Sequence, residues 1–340
     1  MTGPAAAGGR PLASVSLDMD DLWTYLRTHG DPAWERLPTY LPRFVPRMLD
    51  ALGEADATIT CFLVGADAAR DEAAALFRDV AARGHEIGNH THWHEVWLPR
   101  YTEPELVAEL DRAERAIEAA TGRRPVGFRG PGFSWNPTLL DVLARRGYRY
   151  DASTLPTFIG PLARRYFLAT ARLSADEAAA RGALFGEFRD GFRPLRPYHW
   201  ELPGGRRLLE IPVTTVPGVR TPFHLSYLLY LAEFSERLMF AYLRGALAAC
   251  RVTGVEPSFL LHPPDLLGAD DAPGLEFFPA MRLSAARKHR LFVRVLRVIA
   301  EHFTLVPMAA HAEHARAAAP RRALPRPTAL PPRGAVPRAS

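Results

Sequence analysis

Two carboxylates and two imidazoles stand out by their spacing. Asp18 and Asp20 lie two residues apart at the end of a short apolar stretch, followed directly by Asp21, while His90 and His94 lie four apart. Four residues is one helical turn, so on a helix both rings would share a face and could grip one ion. With the Asp20 carboxylate they form a two-His, one-carboxylate set. Such a set suits one divalent metal, with zinc the first expectation and iron or cobalt the alternatives, and it leaves positions for water and substrate. Asp21 is the alternative ligand. Asp18 can then serve as the base that takes a proton from a metal-activated water. His85 and His92 are close in sequence, and His92, between the two candidate ligands, is expected to point away from them.

Further along the chain, Arg129 can hold Asp18 through a bidentate fork and keep it ionised. The run Arg129-Gly130-Pro131-Gly132 is a constrained turn whose backbone N–H can stabilise an oxyanion. His262 follows the apolar Phe259-Leu260-Leu261 and is a candidate general acid. Asp151 is the candidate partner for the second nitrogen of that ring.

These residues need elements to bring them together. Strands are expected at Ser14–Asp20, Ala57–Val64, Glu86–His90, Val126–Arg129, Tyr148–Asp151, Leu208–Val213, Ser258–His262 and Thr304–Val306. Helices are expected at Pro42–Leu52, Asp71–Arg83, Thr102–Thr121, Asn136–Arg146 and Ser284–His302. Regular alternation of strand and helix argues for a parallel sheet, and about eight repeats argue for a β/α barrel. Asp18, Asp20, His90, Arg129, Asp151 and His262 all fall at strand C-termini, which open on one face of such a barrel. The rhythm breaks at 155–200 and at 214–257, where helical insertions after late strands are expected. The second contains the apolar segment Pro222–Cys250.

With 340 residues, 48% hydrophobic and 23% charged, the chain fits one large globular domain. Residues 13–309 are expected to form it, with 1–12 and the Pro/Ala/Arg-rich 310–340 as disordered ends. Much of the formal net charge of +5 sits in that tail, at Arg316, Arg321, Arg322, Arg326, Arg333 and Arg338, so no nucleic-acid footprint is expected. Two cysteines, Cys61 and Cys250, give no disulfide framework. The first residues lack the pattern of a secretory signal and no apolar run is long enough to span a bilayer, so the expected location is the cytoplasm.

Taken together, these motifs resemble the polysaccharide deacetylase (NodB-homology, carbohydrate esterase 4) family. Asp18-Met19-Asp20-Asp21 resembles its first motif, in the split Asp-x-Asp form, and His90-Thr91-His92-Trp93-His94 resembles its metal motif. Arg129-Gly130-Pro131, Tyr150-Asp151-Ala152-Ser153 and Leu260-Leu261-His262 are similar to the third, fourth and fifth. The resemblance implies a distorted (β/α) barrel and metal-dependent deacylation. It makes Asp18 the base, Asp20, His90 and His94 the ligands, His262 the acid, Arg129 the brace of Asp18, and Leu260 a wall for the acyl group. Pro131, Gly132 and Trp93 fall beside the implied substrate groove. The chain departs from the pattern at Gly132, where the family carries an aromatic residue, and in its fourth motif.

The substrate expected from this reading is an N-acylated amino sugar or glycolipid. The apolar segment 222–250 adds the expectation of peripheral contact with the inner membrane face. Two alternatives remain: hydrolysis of a small amide or formamide, and a sugar-binding module without catalysis. Oligomeric state is not legible.

Overall fold

The computed structural model describes residues 10–171, 173–181 and 186–324. Eight parallel pairings and one antiparallel pairing join the named strands, and their order matters for the site. The strands are β1 Leu12–Asp18, β2 Thr60–Leu63, β3 Glu86–Asn89, β4 Gly127–Phe128, β5 Tyr150–Asp151, β6 Tyr198–Glu201, β7 Arg207–Glu210, β8 Ser258–Leu261, β9 Thr304–Val306 and β10 Arg321–Ala323. Hydrogen bonding runs β10-β6-β7-β5-β4-β3-β2-β1-β8, with β9 also on β1. Among these, only β6 and β7 run antiparallel.

The chain just past β7 meets β8 at the far edge of the sheet. Thr214, just past β7, donates its N–H to the Ser258 carbonyl at 3.0 Å, and the Ser258 N–H donates to Thr214 Oγ1 at 2.8 Å. The sheet therefore wraps into the distorted barrel expected from the alternation. Its inside is filled by Phe62, Tyr150, Leu209 and Ile211. Those rings dictate two glycines. A Cβ on Gly88 would lie 2.4 Å from the Phe62 ring, and one on Gly127 would lie 2.1 Å from Tyr150.

The helices are α1 Leu22–His29, α2 Leu41–Glu54, α3 Gly65–Ala68, α4 Asp71–Ala82, α5 Glu103–Thr121, α6 Pro137–Arg145, α7 Gly160–Thr170, α8 Ala175–Ala180, α9 Leu225–Phe234, α10 Glu236–Thr253, α11 Ala285–Ala300 and α12 Met308–Arg316. Local chemistry sets their ends. Thr102 and Glu105 form a capping box at the start of α5, and Gly122, at φ 69°, ends it. The apolar segment 222–250 is two helices rather than one, because Ser235 turns the chain and caps α10 through Leu238 N–H. Both helices bury one face in the main core, through Leu225, Leu228, Leu229, Met239, Phe240, Leu243 and Leu247. Among the described residues no helix is long and apolar enough to cross a membrane.

Two features differ from the sequence expectation. The 155–200 insertion holds a strand, β6, besides helices α7 and α8. The expected tail from 310 does not begin there. Helix α12 runs to Arg316 and β10 pairs with β6. Met308 N–H donates to Thr60 Oγ1 at 2.7 Å and Ala309 N–H to Glu86 Oε2 at 2.8 Å. Thr60 and Glu86 begin their strands, so α12 seals the N-terminal mouth of the barrel. Residues 1–9 and 325–340, expected as disordered ends, lie outside the described residues.

Candidate metal centre and active site

At the opposite mouth, Asp18 is the last residue of β1, and Asp20 sits in the turn beyond it. His90 directly follows β3, Arg129 follows β4, and His262 follows β8. Asp20 Oδ1 lies 3.2 Å from His90 Nε2 and 3.1 Å from His94 Nε2. All three residues are buried, and these three atoms have no hydrogen-bond partner. Buried polar atoms are nearly always satisfied, so three such atoms converging on one point have the donor chemistry of a cation site. One carboxylate oxygen and two imidazole nitrogens within 4.8 Å of one another fit a divalent transition metal.

The His pair is not on a helical turn, as its spacing suggested. Residues 90–94 form an irregular loop with Thr91 at φ 67° and His94 at φ 51°. Side chains pin that loop. Thr91 N–H donates to Asn89 Oδ1 at 2.7 Å and His94 N–H to Thr91 Oγ1 at 3.0 Å. Glu109 of α5 accepts the N–H groups of His92 and Trp93 at 2.9 and 2.7 Å. His90 Nδ1 meets the Arg129 carbonyl at 2.7 Å, which leaves Nε2 for the metal. His92 faces outward and lines a groove between α4 and α5 with Arg112 and Arg115. His85 lies at the start of β3, where Ile59 N–H donates to it.

Charge distribution agrees with a cation site. Burial pushes the Asp20 carboxyl up, but His94 and His90 outweigh it and hold the group well below the usual range. Burial pulls the His90 ring down, and the carboxylates of Asp18 and Asp20 more than reverse this. Asp21 plays a different part. Its Oδ1 accepts the N–H of Leu22 at 2.7 Å and of Tyr40 at 3.0 Å, so it caps α1 rather than facing the histidines.

Arg129 braces Asp18, but not as a fork. Nη1 donates to Asp18 Oδ1 at 2.7 Å and to Ser16 Oγ at 2.9 Å, while Nε donates to the Ala152 carbonyl at 3.0 Å. The guanidinium stacks 4.5 Å from the Phe62 ring centroid. In the following turn, the N–H of Gly130 goes to Ser153 Oγ, and those of Phe133 and Ser134 go to backbone carbonyls. None of these three is free for an oxyanion. Pro131 is buried there and Gly132 partly so. Leu260 is fully buried on β8, beside Ser16 of β1. The Trp93 ring packs edge-on against Trp23, 6.0 Å away.

Asp151 does not reach His262. Its Oδ1 accepts from Ser153 Oγ at 2.6 Å, and its neighbour in the sheet is Glu210. Glu210 accepts from Thr154 and from Trp200 Nε1. Burial and the charge of Asp151 push Glu210 well above the usual carboxyl range. His262 instead meets Ser226 of α9, Oγ to Nδ1 at 3.4 Å. Its own N–H donates to Asp265 Oδ2 at 2.9 Å. Ser226, Asp265 and Glu210 were not singled out from the sequence. Only the His-Pro-Pro-Asp run after β8, with an acid three residues past a candidate histidine, carried a signal for Asp265.

Comparison with known proteins finds partial matches in sequence and broader ones in fold. Over 109 residues the chain is 32% identical to a chitooligosaccharide deacetylase of Azorhizobium caulinodans, covering 32% of this chain and 50% of that protein. Over 108 residues it is 29% identical to a peptidoglycan-N-acetylglucosamine deacetylase of Bacillus cereus, covering 32% of this chain and 49% of that one. The chain thus matches about half the length of these curated relatives. The fold is similar to that of a crystal structure assigned to the polysaccharide deacetylases from Mycobacterium smegmatis, with TM-score 0.63 and 23% identity over 96% of this chain and 98% of that one. It is also similar to Puue allantoinase, with TM-score 0.56 and 18% identity over 93% and 95% of the two chains. Residues 13–150, the region that supplies Asp18, Asp20, His90, His94 and Arg129, match the family described as polysaccharide deacetylase.

Proposed function

We propose that this chain is a metal-dependent deacylase that hydrolyses an N-acyl group, acetyl first, from an amino sugar or glycoconjugate. The observation that carries the reading is the cluster of three buried, unpartnered donor atoms of Asp20, His90 and His94 beside an Arg-braced carboxylate, Asp18. Asp20, His90 and His94 would hold a divalent metal, zinc before iron or cobalt, which would supply Lewis-acid chemistry when bound. Asp18 accepts the proton of the attacking water. Arg129 keeps Asp18 ionised and fixed. Leu260 and the turn at Pro131 and Gly132 border the acyl and sugar sides, with Trp93 beyond them. His262 gives a proton to the departing nitrogen as the C–N bond breaks.

The carrier of the sugar is read from the second insertion. Most of its apolar side chains pack the core, but the elbow between α9 and α10 leaves Tyr230, Phe234 and Leu238 exposed by 49%, 70% and 53%. This supports a lipid-linked substrate met at a membrane surface.

The test is metal-dependent release of acetate and formate from N-acylated amino sugars, free, nucleotide-linked and lipid-linked, with a small formamide and a ureide in the same panel. Release from the sugars that requires added metal supports the reading. Release from the small amides alone replaces it with the amide-hydrolase alternative. No release from any of them, with metal bound, points to a binding module.

A further inference from the structure

We propose that His262 is positioned by Ser226 and Asp265, and not by Asp151, so that helix α9 of the insertion completes the acid side of the site. The inference rests on the deacylase reading for what His262 does, but not for how its ring is held.

Three observations place the ring. Ser226 Oγ is 3.4 Å from His262 Nδ1. Asp265 Oδ2 accepts the His262 backbone N–H at 2.9 Å, while its Oδ1 is buried with no hydrogen-bond partner. The loop carrying Asp265 is itself clamped, because the fully buried Lys288 donates from Nζ to the carbonyls of Pro264 and Leu267 at 2.7 and 2.8 Å. Asp151, the other candidate, spends Oδ1 on Ser153 and sits beside Glu210.

A serine hydroxyl has one proton and two lone pairs. When it points its proton toward the unsatisfied acid Asp265, it offers a lone pair to His262, and the imidazole must then carry its proton on Nδ1. Nε2 is left as the nitrogen that gains and gives the catalytic proton. Burial raises the Asp265 carboxyl, and His262 and the Ser226 hydroxyl partly offset this, which places ring and hydroxyl beside the same carboxylate. Among the described residues one other histidine ring lies against it, His224 at 6.0 Å, and burial pulls that ring down to about 3. The ring of Phe278 closes the remaining side at 6.2 Å.

The experiment reads the ring directly. The ¹⁵N signals of the His262 side chain, assigned by their loss in His262→Gln, are recorded for the wild-type chain, Ser226→Ala, Ser226→Thr and Asp151→Asn. The expected result is a neutral ring protonated on Nδ1 in wild type, a mixed tautomer in Ser226→Ala, recovery in Ser226→Thr and no change in Asp151→Asn. A ring that is unmoved in Ser226→Ala, or that shifts in Asp151→Asn instead, overturns the proposal. On the active substrate, Ser226→Ala is expected to lower kcat by about tenfold with KM nearly constant, a fraction of what general-acid catalysis supplies. The ring signals require no substrate. If they behave as expected while the wild type releases no acyl group, the positioning stands and the deacylase reading falls.

Discussion

Arg129 and Asp18 are 111 residues apart in the chain and meet at 2.7 Å with both side chains almost fully buried. Removing one partner of such a pair leaves an uncompensated charge inside the barrel. Arg129→Met is therefore expected to cost about 3–5 kcal/mol of stability. Arg129→Met combined with Asp18→Asn should cost less than the sum of the two single changes. Urea unfolding of the four proteins measures this, and simple additivity would mean that the contact is not a coupled ion pair.

Asp18 lies beside the cluster but is not one of its three converging atoms, so metal binding and catalysis should separate there. In Asp18→Asn, metal content should stay at the wild-type level while acyl release falls by about 10²–10⁴-fold, the usual range for a lost general base. Elemental analysis of the variant together with the release assay decides it. Loss of metal in Asp18→Asn would reassign this residue as a ligand.

Adding a divalent metal should stabilise the fold, because the converging oxygen and nitrogens exist only in the native state. At a free zinc concentration 100 times Kd the gain is about 2.7 kcal/mol. A thermal-shift titration should show this for the wild-type chain and lose it in Asp20→Asn and His94→Ala. Asp21→Asn should keep the response, since Asp21 faces the start of α1. A lost response in Asp21→Asn alone would move the ligand role to Asp21.

The convergence of these side chains was legible because strand C-termini share a face, and Asp18, His90, Arg129 and His262 each stand at the end of an expected strand. What was hidden depends on packing across the chain. Ser226 lies inside a strongly apolar helix, and nothing local indicates that α9 returns to β8. The left-handed turns at Thr91 and His94 are imposed by Asn89 and Glu109, so spacing alone suggested a helix. Helix α12 resembles a tail in composition, yet Met308, His311 and Ala312 are buried because the barrel mouth needs a cover. Asp151 sat at the expected strand end, but Glu210, reachable only through the β5–β7 register, claims it.

The exposed elbow of α9 and α10 makes a prediction separable from catalysis. Tyr230→Ser, Phe234→Ser and Leu238→Ser together remove side chains that are largely outside the core, so the fold should survive. Co-sedimentation with anionic vesicles should fall in the triple variant while release from a free sugar is unchanged. Equal pelleting of both proteins would remove the membrane reading and leave the elbow as ordinary surface.

Glu109 ties the stability of the ligand loop to pH. Burial raises its carboxyl to about 7, against the N–H groups of His92 and Trp93 that favour the anion. An acid whose folded value lies above its unfolded one contributes stability that is complete below the unfolded value, about 4.5, and lost as pH rises through about 7. Across that interval the loss is on the order of 3 kcal/mol. Glu109→Gln keeps an oxygen for the two amides and has no proton to lose. Urea midpoints at pH 5 and pH 8 should therefore fall with pH in the wild-type chain more steeply than in Glu109→Gln. Parallel slopes would mean that the loop holds Glu109 ionised throughout, its two backbone bonds outweighing burial.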